Sequence, residues 1–107
     1  MSLLLERLEI KHPIFLAPMA GVSTPELAAE VSNQGGLGSL GLGANTAETA
    51  RSQILKTQAL TEQPFQVNFF CHQSVELDPT VAQTWIDFVR PHLEQYDAEP
   101  PTQLHCI

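Results

Sequence analysis

One short segment, residues 13–21, constrains the fold of this chain more than any other. It reads Pro-Ile-Phe-Leu-Ala-Pro-Met-Ala-Gly. The apolar run Ile14–Leu16 is typical of a buried strand, and Pro18 ends that run because it has no N–H for a sheet ladder. Residues 23–25, Ser-Thr-Pro, follow with the signals of a helix start. The segment therefore predicts a strand, a tight loop of small residues and a helix.

The same alternation of strand and helix signals continues along the chain. Strands are predicted at 13–17, 37–40 and 65–69. Helices are predicted at 24–34, from Asn45, which forms a capping pattern with Glu48, and from Asp78. Two starts fit the first helix, either Ser23 with Glu26 or Thr24 followed by Pro25. This βαβαβα order predicts parallel strands in the order 1-2-3, with the helices packed on one face.

Apolar stripes on the helices predict which side chains form the core. The stripes are Leu27, Ala28 and Val31; Ala47, Ala50, Ile54 and Leu55; and Val81, Trp85, Phe88 and Val89. We also expect Phe69 and Phe70 to be core residues, and Trp85 to cover the sheet. Pro91 should interrupt or restart the third helix, and Asp97–Ile107 should form an extended connector.

Length and charge bound the fold and its partners. The chain has 107 residues, whereas a closed (β/α)₈ barrel needs about 250. We therefore expect an α/β fold made of the first three βα units of a (β/α)₈ (TIM) barrel that is incomplete, with residues 1–107 as one N-terminal fragment. Five basic against twelve acidic residues give a net charge of −7, which argues against nucleic acid as a partner.

The termini and the cysteines bear on the compartment. The N-terminal apolar run has only three residues, too few for a signal peptide or a membrane span. Two cysteines give no disulfide framework, so a cytoplasmic, reduced protein is expected. Cys71-His72 and His105-Cys106 are adjacent pairs that rarely chelate one ion, so we expect no metal site. No neighbouring cation in the sequence activates Cys71 as a nucleophile.

Residues 36–41 read Gly-Leu-Gly-Ser-Leu-Gly, the G-x-G-x-x-G pattern of dinucleotide-binding folds. That pattern follows a strand and opens a helix, whereas these glycines follow a predicted helix and span a predicted strand. The acidic residue at the right distance, Glu62, precedes a strand instead of ending one. We interpret the segment as a left-handed helix cap at Gly35 and Gly36 and a close-packed strand. Its exit, at Gly41 and Gly43, leaves room for a ligand.

Two features suggest a ligand face at the carboxyl ends of the strands, where barrel sites gather. The small residues of the 17–21 loop let a flat ring approach the backbone, and Met19 adds a polarizable surface. Asn68 lies in an otherwise mostly apolar strand, and its amide needs hydrogen-bond partners. Those partners are either a ligand or loop backbone groups, and the residues alone do not decide between them.

These segments resemble the N-terminal part of the nitronate monooxygenases, also known as 2-nitropropane dioxygenases. The matching segments are residues 17–27, 32–38 and 66–72, and residues 99–101 resemble the connector after the third helix in the bacterial branch. Related FMN-dependent enoyl reductases share the Ala-Pro-Met element, so they remain an alternative.

The resemblance implies an FMN-binding barrel that oxidises alkyl nitronates with O₂ to a carbonyl compound and nitrite. It implies that the backbone of Pro18, Met19 and Ala20 lines the flavin ring, and that Asn68 hydrogen-bonds FMN. The family's catalytic histidine and main phosphate-binding segment belong to later strands. We therefore expect no catalytic residue in this chain, and His72 does not match the catalytic position.

Two hypotheses of function follow from the resemblance. In one, the chain is part of an FMN-dependent oxidoreductase with a nitronate and O₂ as its substrates. In the other, it is a non-catalytic remnant or assembly piece that needs the rest of the barrel in trans. The DNA downstream of codon 107 would distinguish a fragment from a complete protein.

Overall fold

The computed structural model describes residues 3–73 and 76–104, and the chain forms two compact units, Met1–Phe70 and Cys71–Ile107. The helices and strands in the described ranges are α1 (Leu3–Leu8), α2 (Pro25–Asn33), β1 (Gly38–Gly41), α3 (Ala47–Leu60), β2 (Phe65–Asn68) and α4 (Pro79–Glu94). The short α1 is not predicted, because an apolar run of three residues carries no helical period. None of the described helices is long and apolar enough to cross a membrane.

The two strands form a parallel pair, as predicted. Their register joins Gly38 to Phe65 and Gly41 to Asn68. The ladder extends one residue further, where the Leu42 N–H donates to the Asn68 carbonyl at 2.9 Å. The observed strands coincide with the second and third predicted strands within one residue.

The prediction of a first strand at 13–17 is wrong. This segment forms only one isolated parallel bridge, between Phe15 and Leu37. Pro13 and Pro18 bracket this segment and cannot donate to a ladder. The backbone groups of Leu37 bond to the 14–16 segment, whereas the Leu42 N–H bonds to β2. Odd-numbered and even-numbered residues of one strand direct their backbone groups to opposite edges, so this segment and β2 lie on opposite sides of β1. The order 1-2-3 therefore holds.

Burial of that first segment also departs from the prediction. Ile14 is 60% exposed and Phe15 is 45% exposed, so they are not buried strand residues. Within this run, Leu16 is the side chain that packs against the core. The physical reason is that one bridge orders the backbone without enclosing the side chains that flank it.

The core of the first unit lies between the sheet and the two helices α2 and α3. It is built from Ala28, Leu40, Leu42 and Ala50, with Leu16, Ile54 and Phe65 packed against it. Leu27 and Leu55 were predicted as core residues, but both are exposed, and so is Ala47. Small alanines make the tight helix–sheet contact, so the larger side chains on either side of it point to solvent.

A serine joins α2 to the amino ends of both strands. The buried Ser32 hydroxyl donates to the Pro64 carbonyl at 2.8 Å and accepts from the Gly38 N–H at 3.0 Å. Gly38 is needed at this point, because a Cβ there would overlap the Ala28 carbonyl oxygen. The close approach of α2 to β1 therefore depends on both Ser32 and Gly38.

Side chains that cap the helices explain where the helices begin. Thr24 caps α2 by accepting from the Leu27 N–H at 3.2 Å, which decides between the two starts left open by the sequence. Thr46 caps α3 in place of the predicted Asn45, and Asp78 caps α4 as predicted. Of the two glycines predicted to end α2, Gly35 has the left-handed backbone, with φ +87°.

An exposed ion pair joins α2 to α3. The Lys56 ammonium contacts the Glu26 carboxylate, and this hydrogen bond is the main reason why the pKa of Glu26 lies below its ordinary value. Both side chains are more than half exposed, so solvent screens the attraction. The contact between these helices therefore depends on burial of small residues more than on charge.

The second unit contains α4, which continues through Pro91 to Glu94, so the predicted interruption is wrong. Its buried side chain is Ile86, which lines a small cavity together with Leu104. In the predicted stripe, Val81, Trp85 and Phe88 are exposed instead, Trp85 by 58%, and Val89 is half-buried. The chain at 102–104 returns to the Ile86 side of the helix, about 100° of rotation from the Trp85 stripe.

The other aromatic predictions are also corrected. Phe69 and Phe70 are both about half exposed, so neither is a core residue. Phe70 lies against Gly43, where an added Cβ would be 2.6 Å from the ring. The predicted connector has no helix or strand over the described residues 97–104, and residues 105–107 lie outside them.

Candidate functional site

The loop between the first segment and α2 is fixed at Met19 by a buried serine. The Met19 N–H donates to the Ser23 hydroxyl at 2.7 Å, and that hydroxyl donates to the Met19 carbonyl at 2.8 Å. The Ser23 N–H also donates to the same carbonyl, at 2.9 Å. The Met19 side chain remains 39% exposed above this anchored backbone. Ser23 therefore orders the loop instead of capping the helix.

The anchored loop lies across the carboxyl end of β1. A Cβ added at Gly41 would lie 2.9 Å from the Ala20 nitrogen and 3.1 Å from the Met19 carbonyl carbon. Only glycine at this position lets the loop backbone approach the strand so closely. The predicted ligand room at Gly41 and Gly43 is therefore wrong, because the loop occupies the first position and the Phe70 ring the second.

The register of the sheet brings Asn68 to this same point. Leu40 and Leu42 point into the core, so Gly41 between them points to the opposite face. Asn68 is the register partner of Gly41, and paired residues extend from the same face of a sheet. Its exposed carboxamide has no hydrogen bond to any residue in the described ranges. We call the face formed by Ser39, Gly41, Gln66 and Asn68 the inner face.

Three of the four predicted site residues thus come together. Met19 and Ala20 cross Gly41, and Asn68 extends beside it. Pro18 immediately precedes Met19 and is exposed. The arrangement offers an accessible backbone segment, a polarizable thioether and an amide with two donors and an acceptor. Such a surface can hold a flat, polar ring by its face and its edge.

Ser39 is a polar residue on the inner face that the sequence did not single out. It is fully buried, and its hydroxyl has no hydrogen-bond partner among residues 3–73 and 76–104. Gln66 is its register partner on β2. A buried hydroxyl without a partner costs about 1–3 kcal/mol, so the inner face is left incompletely satisfied. A serine inside an apolar run is the signal that could have found it.

The remaining candidates do not form a site. Cys71 is an exposed free thiol, and His72 is exposed next to it. No group of three or more metal-ligating side chains occurs within residues 3–73 and 76–104, and His105 and Cys106 lie outside those ranges. A cavity of about 410 Å³ lies on the helix side of the sheet, lined by Ala47, Ala50, Arg51, Ile54, Leu55 and Phe69.

Comparison with solved structures defines the class of the fold. The structure superposes on a nitroalkane oxidase from Streptomyces ansochromogenes with a TM-score of 0.73 and 38% identity, covering 92% of this chain and 27% of that one. FabK from Thermotoga maritima superposes with a TM-score of 0.57 and 36% identity, covering 81% and 26%. The fold is therefore a mixed α/β fold with parallel strands, similar to that of the nitroalkane oxidase.

The sequence comparison identifies the family. The nitronate monooxygenase family model matches residues 1–103, so the chain belongs to this family of oxidoreductases. The nitronate monooxygenase of Paraburkholderia phytofirmans is 54% identical over 104 residues, and that of Pseudomonas aeruginosa is 47% identical over 100 residues. These matches cover 97% and 94% of this chain, but 28% of each relative. The family resemblance seen in the sequence is confirmed.

Proposed function

We propose that this chain is the N-terminal part of an FMN-dependent nitronate monooxygenase, which oxidises alkyl nitronates with O₂ to a carbonyl compound and nitrite. The observation that carries the proposal is the meeting of Met19, Ala20 and Asn68 around Gly41 on the inner face. Family membership supports the reaction class. The similarity to a nitroalkane oxidase favours a nitronate over the enoyl substrates of related reductases.

The residues at this point fit a flavin ring. Ala17, Pro18 and Ala20 are exposed and small, so a flat ring can lie against their backbone. The unpaired carboxamide of Asn68 can donate to a ring oxygen or accept from a ring N–H. Bound FMN would supply the electron transfer between nitronate and O₂. This chain's part is to hold the ring and to fix the loop through Ser23.

We assign proton transfer to no residue of this chain. The family's catalytic histidine is expected in the part of the barrel that this chain does not span, since the match covers 28% of the relatives. The partners we propose are a small nitronate, O₂ and that remaining polypeptide. We expect these 107 residues by themselves to be inactive, because no catalytic residue is assigned among them.

Asn68→Ala tests the proposal in a joined protein, which we define as residues 1–103 of this chain followed by the C-terminal part of the Paraburkholderia relative. We expect a roughly tenfold loss of FMN affinity, equivalent to about 1.4 kcal/mol. The free energy of unfolding of the apoprotein should hardly change, because the carboxamide is exposed and has no partner in the chain. Fluorescence titration with FMN and urea unfolding measure the two quantities.

Phe69→Ala is the matched control for Asn68→Ala. Strand alternation places the Phe69 side chain on the helix side, where it lines the cavity on α3. FMN affinity should therefore be unchanged, and the stability loss should be below the roughly 3–5 kcal/mol of a fully buried phenylalanine, because Phe69 is 50% exposed. Unchanged FMN affinity in Asn68→Ala would remove the carboxamide from the cofactor site.

A further inference from the structure

We propose that Gln66 is a positioning residue for Asn68 in the ligand site. When a flat ring covers the inner face, the Gln66 carboxamide accepts a hydrogen bond from the Ser39 hydroxyl and donates one to the Asn68 side-chain oxygen. The NH₂ group of Asn68 is then directed to the ligand, which must offer a hydrogen-bond acceptor there. The inference rests on the proposed function, because it concerns the same site.

The register of the sheet places these three side chains next to one another. Gln66 pairs with Ser39 across the two strands, and Asn68 pairs with Gly41. Neighbouring strands lie about 5 Å apart, and residues two apart along a strand are separated by about 6.5 Å. Residues two apart also extend from the same face. The long, flexible side chain of Gln66 can therefore reach Ser39 on one side and Asn68 on the other.

All three side chains have hydrogen-bonding capacity that the chain does not use. The Ser39 hydroxyl is buried and has no partner within the described ranges. The carboxamides of Gln66 and Asn68 are exposed and bond to no residue in those ranges, so water satisfies them. A ring lying against Asn68 would displace this water. Polar groups covered in that way need new partners, and the nearest for Gln66 are Ser39 and Asn68.

The position of Ser39 favours Gln66 as its partner. Ser39 lies one side-chain position deeper on β1 than Gly41, over which Met19 and Ala20 pass. Its hydroxyl oxygen is inaccessible from outside, so a group added from elsewhere does not reach it without displacing a neighbour. Gln66 already lies beside it on the adjacent strand, and a change of rotamer is enough to join the two.

The hydroxyl proton of Ser39 decides the direction of the hydrogen bonds. In protein interiors, donors without an acceptor are rarer than acceptors that are under-used. The Ser39 proton therefore takes the carbonyl oxygen of Gln66, and the NH₂ group of Gln66 is left to donate to Asn68. The side-chain oxygen of Asn68 is then occupied, and its NH₂ group remains for the ligand. The reverse order would leave the Ser39 proton without an acceptor.

Gln66→Leu in the joined protein tests the positioning role. Leucine removes both hydrogen bonds and keeps a similar side-chain volume. We expect FMN affinity, measured by fluorescence titration, to fall about fivefold. The free energy of urea unfolding of the apoprotein should not fall, because the carboxamide has no partner within the described ranges of the free chain. Gln58→Leu is the matched control on α3, where the side chain is exposed, and it should change neither quantity.

Ser39→Ala and a double variant test whether Gln66 acts through Asn68. Ser39→Ala should also weaken FMN binding, although it does not destabilise the apoprotein. In the Asn68→Ala background, Gln66→Leu should cause no further loss of affinity, because the group that it orients is gone. A side chain that only supported the strand would add its effect to that of Asn68→Ala. Additive losses, or wild-type affinity in Gln66→Leu or Ser39→Ala, would overturn the inference.

Asn68→Asp tests the direction of the hydrogen bonds. A carboxylate accepts from Gln66 as the asparagine oxygen does, but it cannot donate to the ligand. We therefore expect Asn68→Asp to bind FMN at least as weakly as Asn68→Ala. Wild-type affinity in Asn68→Asp would show that the ligand meets an acceptor at this position, and the assigned direction would be wrong.

The inference and the proposed function fail on different results. Wild-type FMN affinity in Asn68→Ala would remove the carboxamide from the proposed cofactor site, and its positioning with it. Weakened binding in Asn68→Ala, together with unchanged binding in Gln66→Leu, would contradict the role of Gln66 and leave the proposed function intact.

Discussion

Gly38→Ala is expected to unfold most of the Met1–Phe70 unit. The added Cβ would overlap the Ala28 carbonyl oxygen and lie 2.6 Å from the Ser32 hydroxyl. The overlap is with helix backbone, so a change of rotamer cannot relieve it, and α2 would have to move away from β1. Overpacking commonly costs about 1–3 kcal/mol and occasionally more. We expect a loss above roughly 3 kcal/mol, a large part of the stability of a small domain.

Gly21→Ala is the control for Gly38→Ala. Gly21 has φ +75°, and nothing lies within 4 Å of a Cβ added there. Its loss of stability should come from the left-handed backbone alone, at about 1–2 kcal/mol. Urea unfolding of both variants measures the difference. Equal losses, or a smaller loss at Gly38, would show that α2 does not pack on β1 as closely as described.

Ser32→Ala is expected to destabilise the chain, whereas Ser39→Ala is expected to leave its stability unchanged or to raise it. Ser32 makes two hydrogen bonds, to the Pro64 carbonyl and from the Gly38 N–H, and it is almost fully buried. Its loss leaves the buried Gly38 N–H unpaired, at about 1–3 kcal/mol, and also the carbonyl of the half-buried Pro64, at a smaller cost. The hydroxyl of Ser39 has no partner in the part of the chain that the structure describes, so its removal should be neutral or stabilise the chain by up to about 1–3 kcal/mol.

The comparison is well matched, because both substitutions remove one buried oxygen from the same unit. Urea unfolding of the 107-residue chain gives both free energies. A destabilising Ser39→Ala of the same size as Ser32→Ala would mean that the Ser39 hydroxyl has a partner. In that case the buried hydroxyl on the inner face would be satisfied.

Local chemistry explains which elements the sequence could predict. The helices α2, α3 and α4 begin beside a capping threonine or aspartate, and the parallel order follows from strict alternation of strands and helices. Burial was harder to predict. Leu27, Leu55 and Trp85 lie on periodic apolar stripes, yet tight contacts through Ala28 and Ala50, and the return of the chain beside Ile86, turn those stripes to solvent. Periodicity identifies an apolar side of a helix, but packing decides which part of it is covered.

The candidate site also has features that the sequence predicts and features that only the structure shows. Proline, glycine and small residues mark the loop, and the position of Asn68 at a strand end marks the carboxyl edge. The tertiary contacts have no such signature. The pairing of Ser23 with Met19 and the passage of Ala20 over Gly41 depend on a close backbone approach that no spacing in the sequence specifies. The Ser39 hydroxyl has no partner within the described ranges, and its burial too is evident only from the structure.

Nitrite release from an alkyl nitronate tests most directly whether this chain supplies the flavin-facing wall of a nitronate monooxygenase. The assay contains FMN and O₂, with either the 107-residue chain or the joined protein. We expect no turnover by the chain alone, because the role proposed for its residues is to hold a ring and proton transfer is assigned to none of them. The joined protein should release nitrite at an ordinary enzymatic rate of about 1 per second or more. Turnover at that rate by the isolated chain, or a joined protein that retains FMN and releases no nitrite, would contradict this account.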